Sequence, residues 1–219
     1  MRAEAGEALR VGPSGADAIE SLPATRLRHA EVRARLLEAA RGLMREAPGP
    51  GFTVTQVVAA AGTSLKSFYR SFPGKDELLV ALFEDDARRG AAALEVFVSS
   101  SDDTLGRVHL AVVGLFRFLA EDGRLPYAAA LVREHLRLAE SHPDQLRGVL
   151  EPFVAVFAGV LRAAQAGGTV RAGDARRDAR TLFHLVVSHL HALICHQIDE
   201  APDDVAEELW RFCAAALRP

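Results

Sequence analysis

Cysteine is nearly absent from this 219-residue chain, Cys195 and Cys213 being the only two. Two thiols exclude a disulfide scaffold and a four-cysteine zinc site, and a reducing compartment would leave both free. No run of eighteen or more uncharged apolar residues occurs, and the N-terminus (Met1, Arg2, Glu4, Glu7) lacks a basic cap followed by an apolar stretch. The sequence therefore predicts neither a membrane span nor a secretory signal, and the cytoplasm is the expected location. Also missing are a Gly-x-Ser-x-Gly elbow, a Walker glycine loop and a dinucleotide fingerprint. An enzyme would have no nucleophile or cofactor site to rest on, so neither activity nor cofactor is expected. Alternating strand patterns and Asn-Gly hairpins are lacking too, which points to an all-α architecture.

What is present is enough for a sizeable core: 49% hydrophobic residues, 25% charged and a mean hydropathy of +0.08. The net charge of −3 is unevenly spread. From Ala24 to Lys75 nine basic residues (Arg26, Arg28, Arg33, Arg35, Arg41, Arg45, Lys66, Arg70, Lys75) face three acids (Glu31, Glu38, Glu46), a net of +6, and the remainder carries −9. A basic block on an acidic body implies an anionic partner that docks at one end.

About nine helices can be placed. Residues 1–23, rich in Gly, Ala, Ser, Pro and Glu, read as an arm without sustained periodicity. From Glu31 to Ala47 the stripe Val32, Leu36, Ala40, Leu43 and Ala47 marks an amphipathic helix with Arg33, Arg41, Arg45 and Glu46 off the stripe, ended by Pro48-Gly49-Pro50-Gly51. A short helix follows Thr53 and stops at Gly62. A second begins after Ser64 and breaks at Pro73-Gly74. A long helix then runs from Lys75 to about Val98 with Asp76 and Glu77 in its first turn. Further helices span Thr104 to Glu121, Pro126 to Glu140, Asp144 to Ala166, Asp174 to about Ile198 and Pro202 to Leu217. Pro152 should kink or divide the third of these near Glu151.

The two short helices joined at Gly62 fit a helix-turn-helix. Val57, Ala61 and Phe68 are expected to face a small core, leaving Leu65, Lys66, Ser67, Tyr69 and Arg70 to project. The residues Leu36-Leu37-Glu38-Ala39-Ala40, Thr53 with Val57, Ala61-Gly62-Thr63-Ser64, and Phe68-Tyr69-Arg70-Ser71-Phe72-Pro73-Gly74-Lys75-Asp76-Glu77-Leu78-Leu79 together resemble the TetR family of bacterial transcription regulators. The resemblance covers roughly residues 30 to 83. It implies a homodimeric all-α repressor with a three-helix DNA-binding head, residues 24–75, and a ligand-binding and dimerising body, residues 76–219. Tyr69 falls on the family's recognition-helix tyrosine, Ser67 on its usual threonine and Lys75 on the lysine that opens the fourth helix near the phosphate backbone. Lys66, Ser71 and Val58 depart from the family's common residues. Ser71 weakens one backbone contact, and Lys66 adds a cation.

In chemical terms, Lys66 and Arg70 can donate to guanine O6 and N7, while Ser67, Tyr69 and Lys75 can hold phosphate oxygens of a double-stranded operator. Thr53, Leu65, Ser71 and Arg28 complete the expected contact set, and Arg26, Arg33 and Arg35 are placed to grip the flanking backbone. Leu182, Val186, His189 and Leu193 on one helix, with Leu209, Phe212, Cys213 and Ala216 on the next, form stripes expected to pair two copies through a four-helix bundle. The middle helices hold Phe97, Phe116, Leu119, Tyr127, Leu131, Phe153, Phe157 and Leu161, which with His135 and His191 suit a pocket for a mainly apolar small effector. A different class, a helical-bundle enzyme or metal carrier, would use the His-rich helix with His184, His189, His191 and His196. Its seven-residue pairs lack the i, i+4 spacing that zinc favours, so no metal is expected.

Overall fold

A computed structural model describes residues 15–46, 51–120 and 124–219; of residues 15–25 only the backbone path is described. Among the described residues there are ten helices and no strand: α1 (Gly15–Glu46), α2 (Val54–Ala60), α3 (Leu65–Ser71), α4 (Lys75–Val98), α5 (Thr104–Ala120), α6 (Arg124–Ser141), α7 (Pro143–Leu146), α8 (Glu151–Ala166), α9 (Ala175–Ile194) and α10 (Pro202–Leu217). The all-α class is as expected. The expected helix from Asp144 is divided as Pro152 demanded, with α7 a single turn and α8 carrying the proline in its first turn, where its missing donor costs nothing.

Three expectations need correction. Helix α1 begins at Gly15 rather than near Glu31, so residues 15–23 of the expected arm are helical, and residues 1–14 lie outside the described residues. Once α1 is fixed by packing further along, each upstream residue except Pro23, which has no amide donor, adds a hydrogen bond without a new nucleus, and amphipathic periodicity is not required. At the other end, α9 stops at Ile194 rather than Ile198 because His196 takes φ +53°. The amides of His196 and Gln197 turn back to the carbonyls of Leu193 and Ala192, at 3.1 and 2.8 Å. This is a Schellman closure with histidine where glycine is usual. The third correction, Arg41, belongs with the site below.

Two apolar cores stack along α4. The first joins Leu36, Ala40 and Met44 of α1 to Val57, Phe68, Phe72 and the N-terminal half of α4 (Leu78, Leu79, Leu82), and it continues into Ala130 and Leu138 of α6 and Leu146 of α7. The second joins the C-terminal half of α4 to α5, α8, α9 and α10 around Val112, Phe116, Phe157, Leu161, Phe183 and Val186. Phe153 packs against both. Gly90 makes room for it: a Cβ there would lie 2.6 Å from Phe153 Cζ. Residues Pro143–Ala166 have the length and hydropathy of a membrane span, but α8 fills the centre of the second core.

Candidate nucleic-acid interface

The local chemistry of residues 53–72 fixes two helices with little slack. Thr53 and Gln56 form a reciprocal capping box, in which Thr53 Oγ1 accepts from the Gln56 amide at 3.2 Å and Gln56 Oε1 accepts from the Thr53 amide at 2.8 Å. Helix α2 ends as Gly62 takes φ +57°, with the Gly62 and Thr63 amides donating to Ala59 and Val58 carbonyls at 3.2 and 3.1 Å. Ser64 then caps α3, its hydroxyl accepting from the Ser67 amide at 3.1 Å. Phe68 and Phe72 are fully buried and anchor α3 on the head core, alongside Val57 and Ala61 as expected.

Anchoring through Phe68 and Phe72 turns the other face of α3 outward. Tyr69 is 58% exposed and meets Phe68 edge-on at 5.3 Å between ring centres. Leu65, Lys66 and Arg70 are exposed beside it, and Ser67 is half-buried. Thr53, at the start of α2, and Arg28, on α1, are exposed as well. Lys66, Tyr69 and Arg70 thus form a cationic, aromatic ridge with small residues around it, a shape and charge suited to the groove and backbone of a duplex.

Three expected contacts are arranged differently. Ser71 is half-buried and its hydroxyl donates to the Ser67 carbonyl at 3.1 Å, so it serves α3 itself. Lys75 is half-buried: its ammonium stands 4.8 Å above the Phe52 ring and 3.9 Å from Glu134 Oε1. A phosphate must compete with Glu134 for it. Arg33 likewise does not reach outward freely; it donates to the Ser71 carbonyl at 3.3 Å and lies 4.4 Å over the Phe72 ring.

Beneath the head lies a junction that periodicity assigned to solvent. Arg41 is only 3% exposed. Its guanidinium donates to Glu38 at 2.9 Å, to Asp86 at 2.7 Å and to Asp85, and Tyr127 of α6 donates to the second oxygen of Asp86. Burial alone would push the guanidinium pKa down, but its hydrogen bonds to Asp86, Glu38 and Asp85 more than offset this and hold it above the usual arginine range. Burial likewise works to raise Asp85, yet Arg41, Arg89 and Arg88 hold its carboxyl below the usual range. Tyr127 is raised by burial first and by Asp86 next. The signal for this junction was the Asp85-Asp86 pair inside a helix, but no local rule points to Arg41 as its partner.

The other expected sites divide. Phe116, Phe157 and Leu161 are buried in the second core and Leu119 is buried on α5, while Phe97, Phe153 and His191 are half-buried. Tyr127, Leu131 and His135 instead lie on α6 against the first core; His135 meets Phe83 edge-on and burial holds its pKa below the usual histidine range. The expected pocket residues therefore straddle two cores. A cavity of about 20 Å³, water-sized, lies between Leu43, Met44, Phe52 and α6. Of the expected dimer stripe, Leu182, Val186, Leu193, Leu209 and Cys213 are buried within one subunit against α5 and α8, which leaves His189 half-buried and Phe212 and Ala216 open. The His-rich helix does not assemble a site: His189 Nδ1 is 2.8 Å from the Leu185 carbonyl, and among the described residues no three His, Cys, Asp or Glu converge on a metal position.

Residues 36–82 match the TetR_N family, the bacterial regulatory proteins of the tetR family. The whole fold is shared with solved regulators. The transcriptional regulator FadR from Bacillus subtilis, in complex with stearoyl-CoA, superposes with a TM-score of 0.68 at 16% identity, over 84% of this chain and 99% of that one. FadR from Bacillus halodurans, a fatty acid degradation regulator, gives 0.66 at 17% identity over 84% and 99%. Reduced NemR from E. coli gives 0.65 at 16% identity over 85% and 97%. No curated protein matches the sequence.

Proposed function

Starting from a tetR-family head on a regulator's helical fold, we propose that this chain is a non-enzymatic, homodimeric, cytoplasmic repressor whose operator binding is released by a mainly apolar small molecule. The observation that carries the reading is Tyr69, open to solvent between two cations on a helix fixed by a cap and two buried phenylalanines. Lys66 and Arg70 read base edges. Tyr69 and Ser67 hold phosphates with Thr53, Leu65 and Arg28 along the margin, and Lys75 contributes only as far as Glu134 releases it.

One head reaches only a few base pairs, so two copies are needed to read two half-sites. The pairing surface is the outer face of α9 and α10, with Phe212 as its apolar anchor, Ala216 one turn on and half-buried His189 on α9. An apolar effector is favoured by the aromatic residues at the meeting of the two cores, around Phe153, and by the acyl-CoA held by the B. subtilis regulator.

The test is duplex binding across a salt series. Wild type should bind with a steep salt dependence, and Tyr69→Ala should weaken binding to every sequence while leaving the slope unchanged, since a phenol neutralises no phosphate. A slope indistinguishable from zero for wild type would refute operator binding.

A further inference from the structure

Arg70 is one of the two cations assigned to base readout, and a long exposed guanidinium spreads over many rotamers unless something holds it. Its Nη1 lies 3.0 Å from Nε2 of His29 on α1, and among the described residues it has no other hydrogen bond or ion pair. A guanidinium only donates. Nε2 must therefore supply the lone pair, and the proton of the neutral imidazole must sit on Nδ1. One turn along the same face of α1, Arg33 donates to the Ser71 carbonyl and covers Phe72. That carbonyl is one of the unsatisfied acceptors at the end of α3. His29 and Arg33 thus hold the last turn of α3 at two points, the first of them on the outward arginine.

The choice of imidazole has a consequence. A carboxylate in its place would hold Arg70 more firmly, but it would neutralise the guanidinium and set a negative charge beside the phosphates. A neutral imidazole fixes a direction and leaves the charge intact. Its exposed neighbours, Arg26, Arg28 and Arg33 on α1 with Lys66 on α3, keep the surface cationic; Glu31, two residues on, falls on another face of the helix.

We infer that His29 is a positioning residue for sequence readout: it aims Arg70 at a base edge, so specificity depends on a residue of α1, outside the helix-turn-helix. This rests on the DNA-binding reading above. The experiment uses full-length wild type, His29→Ala, His29→Gln and Arg70→Ala. Bound fragments are selected from a random duplex pool, and affinities are then measured for the selected site and its single-base variants. Arg70→Ala should flatten the preference at one base pair of each half-site. His29→Ala should reduce discrimination at that same pair by about tenfold, within the range a good base contact supplies. His29→Gln, whose Oε1 offers a neutral acceptor, should restore it.

The inference is overturned if His29→Ala keeps full discrimination while Arg70→Ala loses it, or if glutamine behaves as alanine does. It is also overturned if Arg70→Ala keeps every preference. Wild type that enriches no sequence and binds duplexes without salt dependence removes the DNA-binding reading itself, an outcome separable from the others by the wild-type sample alone.

Discussion

Replacing Arg41 by alanine tests the junction most directly. The side chain is 4% exposed, and the acids it meets, Asp85 and Asp86, are 19% and 20% exposed. Removing one member of a buried ion pair strands the other and costs about 3–5 kcal/mol. The lower end applies, because Asp85 keeps Arg88 at 3.1 Å and Arg89 at 2.9 Å, and Asp86 keeps Tyr127. A loss of about 3 kcal/mol corresponds to a fall in Tm of about 6–12 °C for a chain of this size. Calorimetry at fixed protein concentration measures it, since assembly would otherwise shift Tm by mass action.

The control separates charge from packing. Arg41→Met combined with Asp85→Asn and Asp86→Asn leaves no stranded charge and should recover most of the loss. An Arg41→Ala variant within about 0.5 kcal/mol of wild type, the usual span of a surface substitution, would refute the argument. The pH dependence has a definite sign. Asp85 is depressed in the fold, so its contribution is complete above the ordinary carboxylate pKa of about 4 and disappears as pH falls through the lower folded value. Wild type should lose stability more steeply than Arg41→Ala on acidification below about pH 4.

Phe212→Asp should convert a dimer to a monomer in light scattering at micromolar concentration while leaving the Tm of the subunit core little changed, because the ring is 66% exposed in one chain. Gly90→Ala should lower stability by about 1–3 kcal/mol in chemical denaturation, because the new methyl meets the Phe153 ring. Burial pushes the Cys213 thiol up to about 11, whereas Cys195 is exposed. Alkylation of the native protein at pH 8 should therefore label Cys195 alone, and Cys213 only after unfolding.

The parts of the molecule legible in the sequence are those set by local rules. Caps at Thr53 and Ser64, the turn at Gly62 and the break at Pro152 each follow from the chemistry of a few neighbouring residues, and the structure has all four. The outward set on α3 was legible for the same reason, since Phe68 and Phe72 leave the opposite face no choice. The misreadings involve distant partners. Arg41 looked like a surface cation because its acids lie 44 and 45 residues away. Leu182, Val186, Leu209 and Cys213 have the same apolar stripe whether they face a second copy or α5 and α8, and periodicity cannot tell these apart. His29 carries no signal at all until α1 and α3 are seen side by side.

Helix α6 holds the two halves of the molecule together in an unequal way. It packs more extensively on α1 than on any other helix, and it runs antiparallel to α4 with three polar ties: Tyr127 to Asp86, Arg137 to Asp76 at 2.6 Å, and Glu134 to Lys75 at 3.9 Å. The guanidinium of Arg45 lies 5.5 Å over the Tyr127 ring from the α1 side. On the body side α6 meets α5 and α9, and Arg124 at its start donates to the Phe118 carbonyl of α5 at 3.4 Å and lies 3.6 Å over the Phe118 ring. Because Tyr127, Arg137 and Glu134 tie α6 to the N-terminal half of α4 beside the head core, a displacement of α6 carries the head with it. A ligand at the Phe153 meeting point shifts the head only as far as it binds two positions of α6 unequally. Tyr127→Phe cuts one tie without opening a cavity. It should leave duplex affinity of the free protein unchanged and reduce the ratio of affinities with and without effector, and an unaltered ratio would mean that α6 is not the link.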